Sequence, residues 1–248
     1  KRCVYKIYHC VDLIEGEEYI AKHGVFAERE AVKKSDHVIV TSEPLKQRFH
    51  WADTRVSCVK NASDFDHFIE PKEEPEEFIG NRRLKIVYSG SIGHRIDYGL
   101  IENLASENPD VDIFMIGPAH KSYFDGDRLM KYNNILFTGP KSYAELPAYV
   151  QHADLLLIPF LKNELTHHIY PLKINEYLAT GNPILTTEFT DLNEFAGLLS
   201  VLKDSNELNA KLMAALSQES KEKSEARIKN TWEERLLEWE NILYINEL

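Results

Sequence analysis

Residues 166–185 read THHIYPLKINEYLATGNPIL. Pro171 suits the first turn of a helix, where its missing N–H removes a donor that has no intrahelical partner anyway. Gly181 suits the position just past the helix end, where the backbone turns left-handed. A helix over about 171–180 follows, and NPILTTE (182–188) behind it reads as a strand. His167, His168 and Tyr170 are then expected in the loop at the positive end of that helix. Histidines and a lysine around a helix N-terminus suit a phosphate or diphosphate. Lys173 and Glu176 are three apart and share a face. At 1.5 Å per residue Glu176 lies roughly 7–8 Å along the axis from Pro171, about the remove of ribose hydroxyls from the phosphates of a nucleoside diphosphate. A cation for the diphosphate and a carboxylate for the ribose form a coherent pair. The same two residues also read as an exposed ion pair on a solvated helix, and spacing alone leaves both readings open.

Outward from this stretch the same alternation recurs. The runs VYKIYH (4–9), HVIVTS (37–42), RVSCV (55–59), LKIVYSG (84–90), VDIFMIG (111–117), NILFTG (134–139), DLLLIPF (154–160) and LLSVL (198–202) join NPILTTE as expected strands. Most are apolar without strict alternation, as strands buried on both faces of a parallel sheet are. Helical patterns lie between them at 17–35, 97–107, 144–152, 171–180 and 206–217, which makes the chain α/β.

Residues 64–83, DFDHFIEPKEEPEEFIGNRR, break the rhythm with two prolines, a Gly-Asn pair and a run of acids, and read as an interdomain linker. The strands behind it, within 84–216, suffice for a complete nucleotide-binding type of lobe. Residues 1–63 hold only three strands, half a lobe, so either the natural N-terminus lies elsewhere or another chain completes it. Residues 217–248 carry Trp232, Leu236, Trp239 and Leu243 on one helical stripe, expected to pack back on the body.

Composition sets limits. A net charge of −11 over 248 residues argues against a general nucleic-acid surface. The longest apolar run, ADLLLIPFL, is far short of the ~20 residues that span a bilayer. No signal peptide is visible. Cys3, Cys10 and Cys58 are too few and too oddly spaced for a disulfide frame or zinc site, and read as reduced thiols in a cytosolic protein.

PLKINEYLATGNPIL resembles the nucleotide-sugar-binding signature of GT-B-fold glycosyltransferases, especially bacterial enzymes of capsule, exopolysaccharide and teichuronic-acid assembly. SEPLKQRF and KNASDFDHF resemble the end of the acceptor lobe of such enzymes. YSGSIGHRIDYGLIENLASENPDVDIFMIGP resembles the opening of the donor lobe, and NILFTGPKSYAELPAYVQHADLLLIPF its base-contacting segment. The likeness covers nearly the whole chain and implies a GT-B-like architecture: a partial N-terminal Rossmann-like acceptor lobe (1–63), the linker, a complete Rossmann-like donor lobe (84–216) and the C-terminal helix.

The resemblance also implies roles. Glu176 would hold the ribose hydroxyls and Lys173 the diphosphate. Backbone N–H groups of Ser91, Ile92 and Gly93, with Arg95, would face the phosphates, and backbone from Thr138 and Gly139 to Lys141 would read the base. Asp12 would take the acceptor hydroxyl's proton, or His9 would contact the transferring sugar. His9 reads equally as a buried strand-end histidine and Asp12 as a helix N-cap. His168 stands where many retaining members carry a glutamate against the donor sugar, and Ala62 where a glycine is usual. The implied activity is sugar transfer from a nucleotide diphosphate sugar, UDP- or GDP-linked, to a glycan or lipid-linked acceptor, with no cofactor and with Lys173, Arg95 and the helix dipole in place of a metal. The implied setting is cytoplasmic, with peripheral contact at the inner face of the membrane, and a dimer or partner chain over the incomplete front lobe. The alternative from another class is a non-catalytic nucleotide-sugar-binding subunit paired with a separate acceptor-binding chain.

Overall fold

The computed structural model describes residues 5–16, 18–120, 126–217 and 230–244. Each apolar run becomes a strand: β1 (Ile7–Cys10), β2 (His37–Val40), β3 (Arg55–Cys58), β4 (Leu84–Ser89), β5 (Val111–Ile116), β6 (Ile135–Gly139), β7 (Leu155–Ile158), β8 (Ile184–Thr187) and β9 (Ser200–Leu202). The helices among the described residues are α1 (Glu18–Lys33), α2 (Glu43–Arg48), α3 (Phe65–Ile69), α4 (Tyr98–Glu107), α5 (Gly126–Leu129), α6 (Leu146–Gln151), α7 (Glu164–His167), α8 (Leu172–Thr180), α9 (Leu208–Leu216) and α10 (Trp232–Tyr244). None is long and apolar enough to cross a membrane.

All strand pairs are parallel and fall into two sheets, one ordered β1-β2-β3 and the other β6-β5-β4-β7-β8-β9. Parallel sheets are covered on both faces, and β2, β5 and β7 are accordingly buried along their whole length. In the larger sheet the chain works outward from β4 through β5 to β6, then returns to β7 on the other side of β4. The direction of winding reverses between β4 and β7. At such a point the connections leave the carboxyl ends of two neighbouring strands in opposite directions and open a crevice for a ligand.

The chain divides into two compact units. The first comprises Lys1–Ser63, Lys162–Leu172 and Asn230–Leu248; the second comprises Asp64–Leu161 and Lys173–Lys229. Three expectations change here. Residues 64–83 are packed structure of the second unit rather than a linker. Phe78 is fully buried, its ring centroid 4.5 Å from that of Phe114 and 5.5 Å from that of Tyr149. Gln151 at the end of α6 donates to the carbonyls of Phe68 and Glu70, and its side-chain oxygen accepts from the Lys72 amide. Two phenylalanines and these backbone bonds outweigh the acid- and proline-rich composition.

The second change concerns residues 162–172, which interrupt the expected 84–216 lobe and belong to the first unit. Leu165 joins the core of Leu13, Val32, Val38, Val40, Leu45 and Phe49. Ser42, the N-cap of α2, donates its hydroxyl to the His168 carbonyl at 2.6 Å, and Asn61 donates to the Tyr170 carbonyl. The third concerns the C-terminal segment: α10 belongs to the first unit, where Trp239 meets the His9 ring edge-on at 5.1 Å and Thr231 bridges to Ser63. Residues 218–229 and 245–248, also part of the expected 217–248 element, lie outside the described residues, as does Cys3. Cys10 and Cys58 are free thiols whose pKa burial pushes up to about 12.

The packing of 64–83 has a measurable consequence. Phe78→Ala should destabilise the protein by about 3–5 kcal/mol, the usual cost of deleting a buried aromatic ring. Urea unfolding reads it, and a loss under about 1 kcal/mol is what a solvated linker predicts instead.

Candidate functional site

The carboxyl ends of β4 and β7 bracket a polar cluster. After β4 the chain turns through Gly90, which takes φ +140°, and its amide donates to the Ile116 carbonyl at 2.7 Å. Gly117 ends β5 at φ +142°, so close that a Cβ there would lie 2.0 Å from the Gly90 carbonyl oxygen. Both positions exclude side chains, and at Gly90 the reason is chemical as well as steric. A Cβ on Gly90 would fall 2.3 Å from Cε and 2.5 Å from Nζ of Lys173. The Lys173 ammonium lies 5.7 Å from the centroid of Tyr88 in β4 and 5.9 Å from that of Phe160 just past β7. It therefore sits at the reversal between the two strands.

α8 is set in place by its own residues. Tyr177, one turn beyond Lys173, is fully buried, and its hydroxyl accepts from the Ser89 amide at 2.9 Å and meets the Ser89 hydroxyl at 3.1 Å. Gly181 takes φ +76° and ends the helix as the sequence predicts. Tyr88 donates its hydroxyl to the Ser91 carbonyl at 2.8 Å and so fixes the turn after β4.

Lys173 and Glu176 are not a solvated surface pair. Glu176 is only 9% exposed. Among the described residues its carboxylate takes no hydrogen bond, and the Lys173 ammonium meets no carboxylate within ion-pair distance. Burial pushes the Glu176 carboxyl above the ordinary carboxylate range, against the pull of Lys173 and then His67. Burial likewise lowers the Lys173 pKa; Glu176 opposes this and the nearby Arg95 cation adds to it. A carboxylate and an ammonium partly withdrawn from water without hydrogen bonds are costly, and such costs concentrate where a ligand supplies the missing partners.

The other expected residues divide. Ser91 is exposed beside the turn, and Gly93 is buried, its carbonyl accepting from the Tyr98 hydroxyl. Ile92 needs correction as a phosphate donor: its amide already donates to the Pro118 carbonyl at 2.9 Å and its side chain is buried. Thr138 and Gly139 end β6, Gly139 with φ +74° and open space where a side chain would be. Lys141 is tied to Glu77 at 2.6 Å and lies over Tyr149, so only its backbone remains for recognition.

His168, His9 and Asp12 lie in the first unit. His168 is not in an open loop: it caps α7, is buried, and donates from Nδ1 to the Glu164 carbonyl at 2.7 Å, which leaves Nε2 as its other ring nitrogen. His167 closes α7, and Tyr170, just before α8, is buried. His9 is not a buried strand-end residue. It is exposed on β1 with its ring against Trp239, and partial burial holds its pKa below the usual histidine value. Asp12 follows β1 ahead of the 3-10 turn Ile14–Gly16, and its carbonyl accepts from the Cys10 thiol. Among the described residues no three His, Cys, Asp or Glu side chains gather as a metal site requires.

Sequence reasoning passed over Tyr88, Gly117, Tyr177 and Ser89, which build the seat of Lys173. The Gly after each of β4 and β5 was the available signal, since paired glycines at adjacent parallel strand ends mark close backbone approach.

Residues 85–218 match the family described as Glycosyl transferases group 1. The chain belongs to this family. It is 26% identical over 197 residues to the putative teichuronic acid biosynthesis glycosyltransferase TuaH of Bacillus subtilis, an alignment covering 73% of this chain and 50% of the relative. The chain thus spans about half the length of that curated relative. Among solved structures it resembles HepE of Anabaena in complex with UDP-glucose, with 15% identity, 96% of this chain and 71% of the other covered, and a TM-score of 0.73. It also resembles sucrose-phosphate synthase of Thermosynechococcus elongatus, with 18% identity, coverage of 96% and 66%, and a TM-score of 0.66. These likenesses establish the α/β, GT-B-like fold.

The raised Glu176 pKa makes the cost of the site visible without ligand. A carboxyl whose folded pKa is raised favours folding while protonated and loses that contribution as pH rises above its ordinary value of 4.5. Glu176→Gln should match the parent's stability near pH 4 and exceed it increasingly toward pH 7. Thermal unfolding across that range checks the sign, and a parent more stable at pH 7 contradicts it.

Proposed function

We propose that the chain is a glycosyltransferase, or the donor-binding part of one, that takes its sugar from a nucleotide diphosphate sugar. The observation that carries this reading is the pair Lys173 and Glu176, a partly buried cation and a buried carboxylate three residues apart, without hydrogen bonds among the described residues, where the sheet reverses direction. A diphosphate supplies the anion that Lys173 lacks, and ribose hydroxyls supply donors for the Glu176 carboxylate. Arg95 and the positive end of α8 add to the same field. UDP and UDP-glucose, bound in structures of the HepE neighbour, support a uridine diphosphate donor. The second unit, with these residues, serves as the donor lobe, and the first as part of the acceptor lobe.

The reaction exchanges one bond for another at the anomeric carbon. Its bond to the terminal phosphate oxygen breaks, and the departing diphosphate keeps the electron pair. The acceptor hydroxyl oxygen bonds to the same carbon and gives its proton to a carboxylate, the role assigned to Asp12, with His9 against the sugar. The chain's contribution is orientation and neutralisation: Lys173 and Arg95 stabilise charge that grows on the diphosphate as the bond breaks. The teichuronic-acid relative supports a glycan or lipid-linked acceptor in surface polysaccharide assembly. Nucleotide sugars are supplied in the cytoplasm, so the reading places this chemistry there, on acceptors presented at the inner face of the membrane.

Calorimetry with UDP and uridine tests the assignment. Lys173→Ala should weaken UDP more than uridine, because it removes a partner of phosphate only, and Glu176→Gln should weaken both. A charge-assisted hydrogen bond of ~1.5–3 kcal/mol makes each loss roughly 10- to 150-fold. Unchanged affinity in both variants returns the pair to a structural role. With the cations in the protein, chelation should leave donor hydrolysis intact; loss restored by manganese or magnesium overturns that part.

A further inference from the structure

At the amino ends of β1, β2 and β3, the ends opposite the loop that carries Asp12, the first unit holds a cavity of about 670 Å³. Pockets that take small ligands run to about 300–1,000 Å³. Its wall comes from the turns that lead into the three strands: Tyr5 before β1, Asp36 before β2, and Trp51 to Arg55 leading into β3. That wall is held by its own hydrogen bonds. The Asp36 carboxylate accepts from the Lys6 amide at 2.7 Å and the Asp36 carbonyl from the Thr54 hydroxyl at 2.7 Å, so all three turns are tied to one residue. The Tyr5 hydroxyl lies 3.3 Å from His37 Nδ1, and His37 Nε2 lies 2.9 Å from the Ser57 hydroxyl. A cavity whose walls are fixed before a ligand arrives loses little entropy when one binds.

What these bonds leave over has a definite chemistry. Trp51 is 36% exposed, while Phe49, its ring centroid 5.9 Å away, is buried. The Arg29 guanidinium lies over the Trp51 ring, 5.9 Å from its centroid, and so steadies an indole that forms part of the cavity wall. Asp53 is exposed and, among the described residues, makes no hydrogen bond or ion pair; the second oxygen of the Asp36 carboxylate likewise takes no hydrogen bond there. Lys33 and Arg55 balance these two carboxylates, so the lining carries no net charge. An anion would meet two carboxylates, and a cation would meet a lysine and an arginine. A neutral polyol meets neither obstacle, because each hydroxyl both donates and accepts and is served by carboxylates and cationic donors together. A pyranose ring also has an apolar face of C–H bonds, which an indole can cover.

We propose that this cavity binds a neutral saccharide, stacked on Trp51 and hydrogen-bonded by Asp53 and Asp36. The proposal uses none of Lys173, Glu176, His9 or Asp12, and stands or falls apart from the donor site. Under the proposed transfer to a glycan, it holds saccharide units that are not reacting. The four residues of β1, roughly 13 Å of strand, separate it from the Asp12 loop. Trp51 supplies the apolar contact, and Asp53 orients the hydroxyls.

Nitrogen-15 NMR of the whole chain tests this on the indole N–H signals of its three tryptophans, the Trp51 signal being the one lost in Trp51→Phe. Maltotriose and cellotriose are the saccharides, with inorganic phosphate and choline as anion and cation controls. At least one trisaccharide should shift the Trp51 signal with a Kd of about 1 mM or tighter. By calorimetry, Trp51→Ala should weaken that binding about tenfold and Asp53→Asn about 5- to 10-fold. Asp53 is exposed, so Asp53→Asn should leave thermal unfolding unchanged and still report on the site if Trp51→Ala fails to fold. Neither variant should move UDP affinity. No shift of the Trp51 signal by either trisaccharide at ~10 mM, ten times the expected Kd, overturns the proposal. A stronger response to phosphate or choline than to both trisaccharides overturns the neutral ligand. Trisaccharide binding that both substitutions leave unchanged puts the saccharide elsewhere and overturns the site. A parent that binds a trisaccharide through Trp51 but does not bind UDP upholds the cavity and removes the donor reading instead.

Discussion

The space beside Gly90 is occupied by the side chain of a residue more than eighty positions away. The Lys173 ammonium reaches the end of β4 only because Gly90 carries no Cβ, and Gly90 keeps its conformation because Gly117 lets the two backbones touch. Tyr88 and Phe160 offer the ammonium the faces of their rings. Such contacts stabilise a desolvated cation by about 2 kcal/mol, less than full hydration provides. The lysine is therefore tolerated where it is rather than satisfied. The position of α8, the hydrogen bond from Ser89 to Tyr177 and the reversal of strand order all converge on keeping it there.

The site thus has a high resting energy that a ligand can lower. Lys173 alone beside Tyr88 and Phe160 would be a modest cation–π arrangement, and Glu176 alone would be a buried acid that titrates upward. Together they attract one another too weakly to cancel their burial, so burial remains the largest influence on each. The family to which residues 85–218 belong gives this arrangement a chemical setting.

The strands were legible because parallel sheets covered on both faces demand uninterrupted apolar runs, and nothing else in this chain produces them. The helix 171–180 was legible from Pro171 and Gly181, which act locally. The short helices α2, α3 and α7 were not, because four to six residues are too few turns for a periodic signal. Residues 64–83 misled because their composition is that of a solvated loop, while Phe68, Phe78 and the backbone bonds to Gln151 decide their packing. The spacing of Lys173 and Glu176 was legible, but the seat of the ammonium was not, since that depends on Tyr88 and Phe160. The stacking of Tyr143 on His67 joins residues 76 apart and left no trace in local pattern.

The first unit is assembled from three stretches of chain, and that has a consequence for how the polypeptide reaches its native state. Its core takes Leu165 from the second stretch, and its first strand rests against Trp239 from the third. Strands β1 to β3 leave a ribosome well before either arrives, so they wait, with apolar surface uncovered, while the second unit is made. Contacts of such long sequence separation form late and slowly, and a partly covered sheet held open over that interval is a natural client for chaperones. The second unit, by contrast, has all the strands of its sheet before the last helix of the chain is synthesised. The order of synthesis therefore favours a protein whose larger sheet is finished first and whose smaller sheet is closed last.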